Sequence, residues 1–248
     1  MKTFRFILRI LLKLIAIILV PVAILLLIQV PAEQKLDWNE STQIYQPDLQ
    51  KVFEGKADSL SKIWGGKKSI PEAYSLQCLI ALSAFPELKN TEIHFILSSE
   101  GYPMQSSIYL PTLVGAKEDR VYKIMLNDSG GSFLDPILLK NLPFDAQVAI
   151  LIHEIGHTAY YEKLSTVKFL SWGLKYALFP SYRKSHESST DRLVIYRGFG
   201  YQLLNYARFV RYADSTNELY QEAKYFMNTY YLTPYETQDF INKLYDRR

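Results

Sequence analysis

The chain has 248 residues, 48% of them apolar and 14% aromatic, which is enough to bury a sizeable core and excludes disorder for most of its length. Its formal charge of +3 comes from 28 basic and 25 acidic residues; Lys2, Arg5, Arg9 and Lys13 all precede the first acidic residue, so the remainder is close to neutral and offers no electrostatic footprint for nucleic acid. The single cysteine, Cys78 in apolar Leu76 to Ile80, excludes an intramolecular disulfide and a cysteine metal cluster and reads as a small core residue.

Leu14 to Val30 is an apolar run interrupted only by Gln29. As a helix it spans roughly 25 Å, and Ile10 to Leu12 extend it if Lys13 snorkels, so residues 10–30 predict a transmembrane helix with the lipid bilayer as partner. The rival is a signal peptide ending near Val30-Pro31-Ala32, but the run is longer than such segments usually are. The basic residues ahead of it predict a single-pass protein with a cytoplasmic N-terminus and an extracytoplasmic domain. Residues 1–31 are accordingly read as the anchor (or signal peptide), 32–46 as a tether, and 47–248 as one folded domain.

Within that domain, Leu49, Val52, Phe53, Leu60 and Ile63 have helical spacing closed by Gly65-Gly66, and a second helix is expected between Pro71 and Pro86. Thr91 to Leu97 and Arg120 to Leu126 have strand character, the latter followed by the turn-formers Asn127 to Gly131, and Ser107 to Leu110 is a third candidate. From Phe144 the pattern is helical. Thr166 to Phe179 is apolar on more than one face, which suits core packing or contact with a bilayer. Thr233-Pro234-Tyr235-Glu236 is a capping box with proline at the first helical position. The fold class is therefore α+β, mainly helical, with a small sheet before the long helix and a transmembrane helix at the N-terminus.

The chemistry concentrates in Asp145 to Lys163, a buried helix for which Asp145 is a plausible cap. His153 and His157 stand four residues apart on one face, as two ligands of one ion must, and neutral imidazoles suit Zn2+. Glu154 lies about 100° round the helix, beside the ion, where a general base for water belongs. With four histidines in the chain, HExxH arises by accident with a probability below about 1%, and two core histidines with a chance glutamate would need partners for three polar groups. A catalytic zinc takes a third protein ligand. The histidine and glycine of a metzincin are absent, since Tyr160 and Lys163 occupy those positions. A downstream carboxylate or His186 remains. Glu187 and Asp191 fall on one helical face, so the first can bind metal while the second accepts the N–H of a zinc-bound histidine; an exposed acidic pair at a helix start is the plainer alternative. Ser185 is the expected cap of that helix.

HExxH followed by ExxxD resembles the gluzincin metallopeptidases, and HEIGH with ESSTDRL looks most similar to the membrane-associated peptidases related to the CAAX prenyl protease, with Thr190 where a small residue usually precedes the aspartate. The resemblance covers the two motifs and their surroundings. It implies His153, His157 and Glu187 as metal ligands, Glu154 as base, Asp191 as orienter, and a zincin-like catalytic domain over 47–248. It also implies an edge strand that pairs with an extended substrate, for which Arg120 to Leu126 is the candidate.

The functional expectation is zinc-dependent cleavage of a peptide or protein substrate at the extracytoplasmic membrane face. The alternative is a non-catalytic metal-binding envelope protein on the same scaffold. A di-iron bundle needs a second ExxH, which the chain lacks. Tyr196, Arg197 and Tyr201 are near enough to the second motif to stabilise an oxyanion, and nothing in the sequence separates them.

Overall fold

The computed structural model of the protein describes residues 19–36, 42–99, 102–128, 134–213 and 218–245. Residues 19–27 are helical (α1). Then come α2 (Leu49–Val52), α3 (Ala57–Trp64), β1 (Lys68–Ser69), α4 (Ser75–Ser83), β2 (Glu92–Ser98), β3 (Met104–Ile108) and β4 (Val121–Asn127). Six helices follow: α5 (Phe144–Glu162), α6 (Thr166–Leu178), α7 (Pro180–Tyr196), α8 (Gly200–Tyr212), α9 (Glu218–Tyr230) and α10 (Pro234–Tyr245). The domain is thus mainly helical with a small open sheet of four strands, and that sheet precedes the HExxH helix.

The expected transmembrane helix is overturned. No helix among the described residues is long and apolar enough to cross a membrane. Positions 1–18 of the expected anchor lie outside the described residues, and nine helical residues cover only about 14 Å. Beyond residue 27 the apolar run is no longer helical, and side chains of α6 and α7 bond to carbonyls near its end: Ser171 Oγ donates to Leu25 O (2.7 Å), Lys175 Nζ to Ile28 O and Tyr182 Oη to Val30 O (3.1 Å). The bilayer partner at residues 10–30, the single-pass topology and the extracytoplasmic placement of the site fall with it.

The sheet order is β1-β2-β4-β3, with β1, β2 and β4 parallel and β3 antiparallel to β4. β4 is therefore a central strand, against its expected place at the edge. Its apolar Val121, Tyr122, Ile124, Met125 and Leu126 suit two flanking neighbours, whereas Gln105, Ser106 and Ser107 of β3 suit an edge.

Helix α5 is the axis of the core: every residue from Asp145 to Tyr161 is buried. Asp145 lies in its first turn without capping it. The carboxylate instead accepts the N–H groups of Asp48 (2.8 Å) and Leu49 (2.9 Å), so the start of α5 caps α2. The single helix expected over 47–64 is broken into α2 and α3, where Gly55 adopts a φ of 69°. The capping box holds: Thr233 N donates to Glu236 Oε2 (2.8 Å) and Glu236 N to Thr233 Oγ1 (3.2 Å). Pro180 separates α6 from α7, because proline lacks the N–H that a continuous helix needs and pushes Phe179 into extended backbone. On α6, Ser171 and Trp172 are buried while Val167, Leu170 and Leu178 face outward.

Between α7 and α8 the chain turns at Gly198, whose φ is 90°. A Cβ there would lie 1.8 Å from Gln43 O, and the glycine's own carbonyl accepts Tyr45 N–H at 2.9 Å. Only glycine fits.

Candidate metal centre

Two helices supply the site. α5 presents His153, Glu154 and His157, and α7 presents His186, Glu187 and Asp191. Their close packing depends on Gly156, where a Cβ would meet Thr190 Cγ2 at 3.1 Å and Leu193 Cδ2 at 3.3 Å. Side chains, rather than another backbone, occupy the space that the glycine leaves. Because α7 begins at Pro180, its acidic pair falls in mid-helix, and both Glu187 and Asp191 are buried. The exposed acidic pair is thereby excluded. Ser185 lies inside the helix and donates to Glu33 Oε1 (3.0 Å) instead of capping.

His153 Nε2 lies 3.1 Å and His157 Nε2 3.3 Å from the same oxygen, Glu187 Oε2. The two imidazole planes are nearly perpendicular, at 85°. Tyr176, on α6, donates to the other carboxylate oxygen, Glu187 Oε1. One ligand atom from each of His153, His157 and Glu187 lies within 4.8 Å of the other two. The three residues form a buried cluster able to hold a metal ion.

The remaining nitrogens of both histidines are also engaged. His153 Nδ1 is 2.9 Å from Asp191 Oδ1, and Asp191 Oδ2 accepts Leu232 N–H at 2.8 Å. His157 Nδ1 is 3.1 Å from His186 Nε2, and His186 Nδ1 is 2.9 Å from Ala32 O. His186, an open alternative for the third ligand, thus stands behind His157 and not at the cluster's centre.

Buried together, the groups of the cluster shift one another's affinity for protons. Burial favours a neutral His153, but the hydrogen bonds to Asp191 and Glu187 outweigh it and push the imidazole up to about 10. Burial would raise the Glu187 carboxyl, yet the imidazoles of His157 and His153 hold it well below the usual carboxylate range. Glu154 is raised by burial, partly offset by His157 and His153, and the Ser106 backbone N–H donates to it. Burial, then the charge of His157, pushes His186 down to about 3.

Comparison of the chain with protein-family models, curated proteins and solved structures gave no match. The site therefore rests on its own geometry.

A cavity of about 600 Å³ opens beside the cluster, reaching Glu154, His157 and Glu187. β3 forms one wall through Met104 to Ser107, and Leu134, Ile137, Val210 and Phe226 make part of it apolar. Tyr161, Tyr176, Tyr206 and Tyr231 also line it, the ring of Tyr231 lying 5.6 Å from that of His153. The three residues considered for an oxyanion are engaged elsewhere. Tyr196 packs on Phe240, Tyr201 on Tyr245, and Arg197 pairs with Glu87. The sequence carries ten tyrosines after Ile195, and only the packing of α8 and of the α9–α10 corner selects Tyr206 and Tyr231. Gln34 was also invisible in the sequence, though its amide donates to Gly156 O (3.3 Å) and Thr190 Oγ1 (3.0 Å) and ties the N-terminal segment to both motif helices.

Proposed function

We propose that this chain is a zinc-dependent metallopeptidase of gluzincin type, with His153, His157 and Glu187 as ligands, Glu154 as general base and Asp191 as the residue that orients His153. The convergence of two imidazole Nε2 atoms on one carboxylate oxygen supports this reading above all else. Donors at about 2.0–2.1 Å from a tetrahedral ion stand about 3.3 Å apart, and the distances here are 3.1 and 3.3 Å. The donor set, two neutral nitrogens and one carboxylate, is one that zinc accepts in catalytic sites.

Bound there, zinc would supply a Lewis acid that polarises a scissile carbonyl and lowers the pKa of a water molecule. The protein's own part is the proton transfer. Glu154, next to His153 and His157 in the cavity wall, accepts a proton from the attacking water at its carboxylate and delivers it to the departing amine. A carboxyl raised by burial, as this one is, is better matched to both halves of that transfer near neutral pH. The Ser106 N–H holds it in place.

β3 provides the substrate surface in this reading. Tyr109 N bonds Val121 O and Asn127 N bonds Pro103 O, so the odd-numbered positions of β3 pair with β4 while Met104, Ser106 and Ile108 turn their backbone groups away from it, the Ser106 N–H toward Glu154. An extended peptide can add to that edge, with an apolar side chain in the cavity beyond.

The test is metal analysis of the full-length chain prepared without chelator, followed by hydrolysis assays on a denatured protein substrate. About one zinc per chain is expected, and Glu154→Gln should keep the zinc while hydrolysis falls about 10²- to 10⁴-fold. Absence of zinc removes the metal site. Zinc with full activity in Glu154→Gln removes the base. Unfolding on chelation, with no hydrolysis by the wild type, favours a non-catalytic metal-binding protein.

A further inference from the structure

The two ligand histidines are held from behind by different means. A neutral imidazole that binds metal through Nε2 must carry its proton on Nδ1, and whatever accepts that proton fixes the ring. For His153 the acceptor is Asp191 Oδ1 at 2.9 Å, itself fixed by Leu232 N–H. For His157 it is a second imidazole, His186 Nε2 at 3.1 Å.

A second imidazole is ambiguous, because each nitrogen can donate or accept. Ala32 removes the ambiguity. Its carbonyl, 2.9 Å from His186 Nδ1, can only accept. The proton on His186 is therefore on Nδ1, its Nε2 is the acceptor, and His157 Nδ1 is the donor. In the neutral imidazole that binds metal, that leaves the lone pair on Nε2, the atom on the Glu187 side of the ring. The His186 ring is fully enclosed, with the rings of Tyr160, Trp172 and Tyr176 at 4.8, 5.3 and 5.9 Å, so no water competes for either nitrogen.

We propose that His186, set by the Ala32 carbonyl, is a positioning residue that holds His157 in the metal-binding tautomer and makes the docked segment Pro31–Gln34 part of the metal centre. The inference rests on the zinc reading above. The segment is held by several independent bonds besides Ala32: Tyr160 Oη donates to Pro31 O, Gln34 N to Ser189 Oγ (3.0 Å), and the Gln34 amide to Gly156 O and Thr190 Oγ1.

Two measurements on the full-length chain test it. The first is zinc affinity, by competition with a chromogenic chelator. His186→Phe keeps the aromatic packing and loses both hydrogen bonds, and should bind zinc about 10- to 100-fold more weakly. His186→Gln, whose amide can accept from His157 and donate to Ala32, should restore most of that loss. The second is 15N NMR of the histidine side chains in the zinc-loaded wild type, where His186 should show a protonated Nδ1 and a bare Nε2. The chain has four histidines, so the spectrum is sparse enough to assign. Wild-type affinity in His186→Phe, or a His186 protonated on Nε2, overturns the proposal. If His186→Phe does not fold, the wild-type nitrogen shifts decide alone. Failure of the wild type to bind zinc overturns the metal reading itself, a different outcome from zinc bound without help from His186.

Discussion

Gly156 lies directly under Thr190: a Cβ on the glycine would sit 3.1 Å from Thr190 Cγ2. One turn of α7 separates Thr190 from Glu187, so the contact sets how deeply Glu187 reaches toward the two histidines. Gly156→Ala gains about 1 kcal/mol of helix propensity but overpacks the interface, at a cost of about 1–3 kcal/mol. The expected result is a small net loss of stability in denaturant titration, together with weaker zinc binding. An alanine variant with unchanged zinc affinity would show that α7 can shift without moving Glu187.

Asp191 serves His153 through one oxygen and Leu232 N–H through the other. Asp191→Asn preserves the shape while removing the charge that orients the imidazole, and zinc affinity should fall about 10- to 100-fold. Competition titration measures this. Equal affinity in the variant would reduce Asp191 to a tie between α7 and the α9–α10 corner.

The metal-free chain should have a defined pH dependence. His153 is raised from 6.5 to about 10 in the folded state, so its contribution to stability is fully present below pH 6.5 and is lost as pH rises through about 10. Glu187 is lowered from 4.5, so its contribution is present above pH 4.5 and is lost as pH falls toward its folded value. Thermal melts with chelator should therefore peak between about pH 4.5 and 6.5 and decline steadily toward pH 10. Because zinc displaces the His153 proton, zinc affinity should rise with pH by about tenfold per unit around neutrality. A flat profile in both experiments would contradict the proton's place in the cluster.

Gly198→Ala tests the turn that closes α7 onto α8. Its φ of 90° and the 1.8 Å approach to Gln43 O leave no room for a methyl group, and the variant should lose about 3 kcal/mol or more. The midpoint of a urea titration gives the value. A loss under about 1 kcal/mol would mean that the 42–45 segment is free to move aside.

Much of the site was legible because it is local. His153, Glu154 and His157 lie within one helical turn, and the i,i+4 spacing of Glu187 and Asp191 depends on helix geometry alone. The capping box at Thr233–Glu236 was legible for the same reason. Legibility failed where a partner comes from far along the chain. His186 looked like a possible ligand because nothing near it in sequence reveals the Ala32 carbonyl, 154 residues away. Asp145 looked like a cap for its own helix because Asp48 and Leu49 were not in view. The apolar run ending at Val30 satisfied the length rule for a membrane span, yet its last carbonyls bond to Ser171, Lys175 and Tyr182, residues that no local pattern could connect to it.

The sequence by itself determined that His153, Glu154 and His157 share one helix and that Glu187 and Asp191 share another, since both follow from short-range spacing. The tertiary structure alone decided that α5 and α7 meet at Gly156, that one Glu187 oxygen faces both imidazoles, that β3 and not β4 forms the open edge, and that residues 31–34 pack behind the His153–His157–Glu187 cluster. Each of those depends on packing between elements distant in the chain, where the contact that wins is chosen by shape and hydrogen bonding across the whole core.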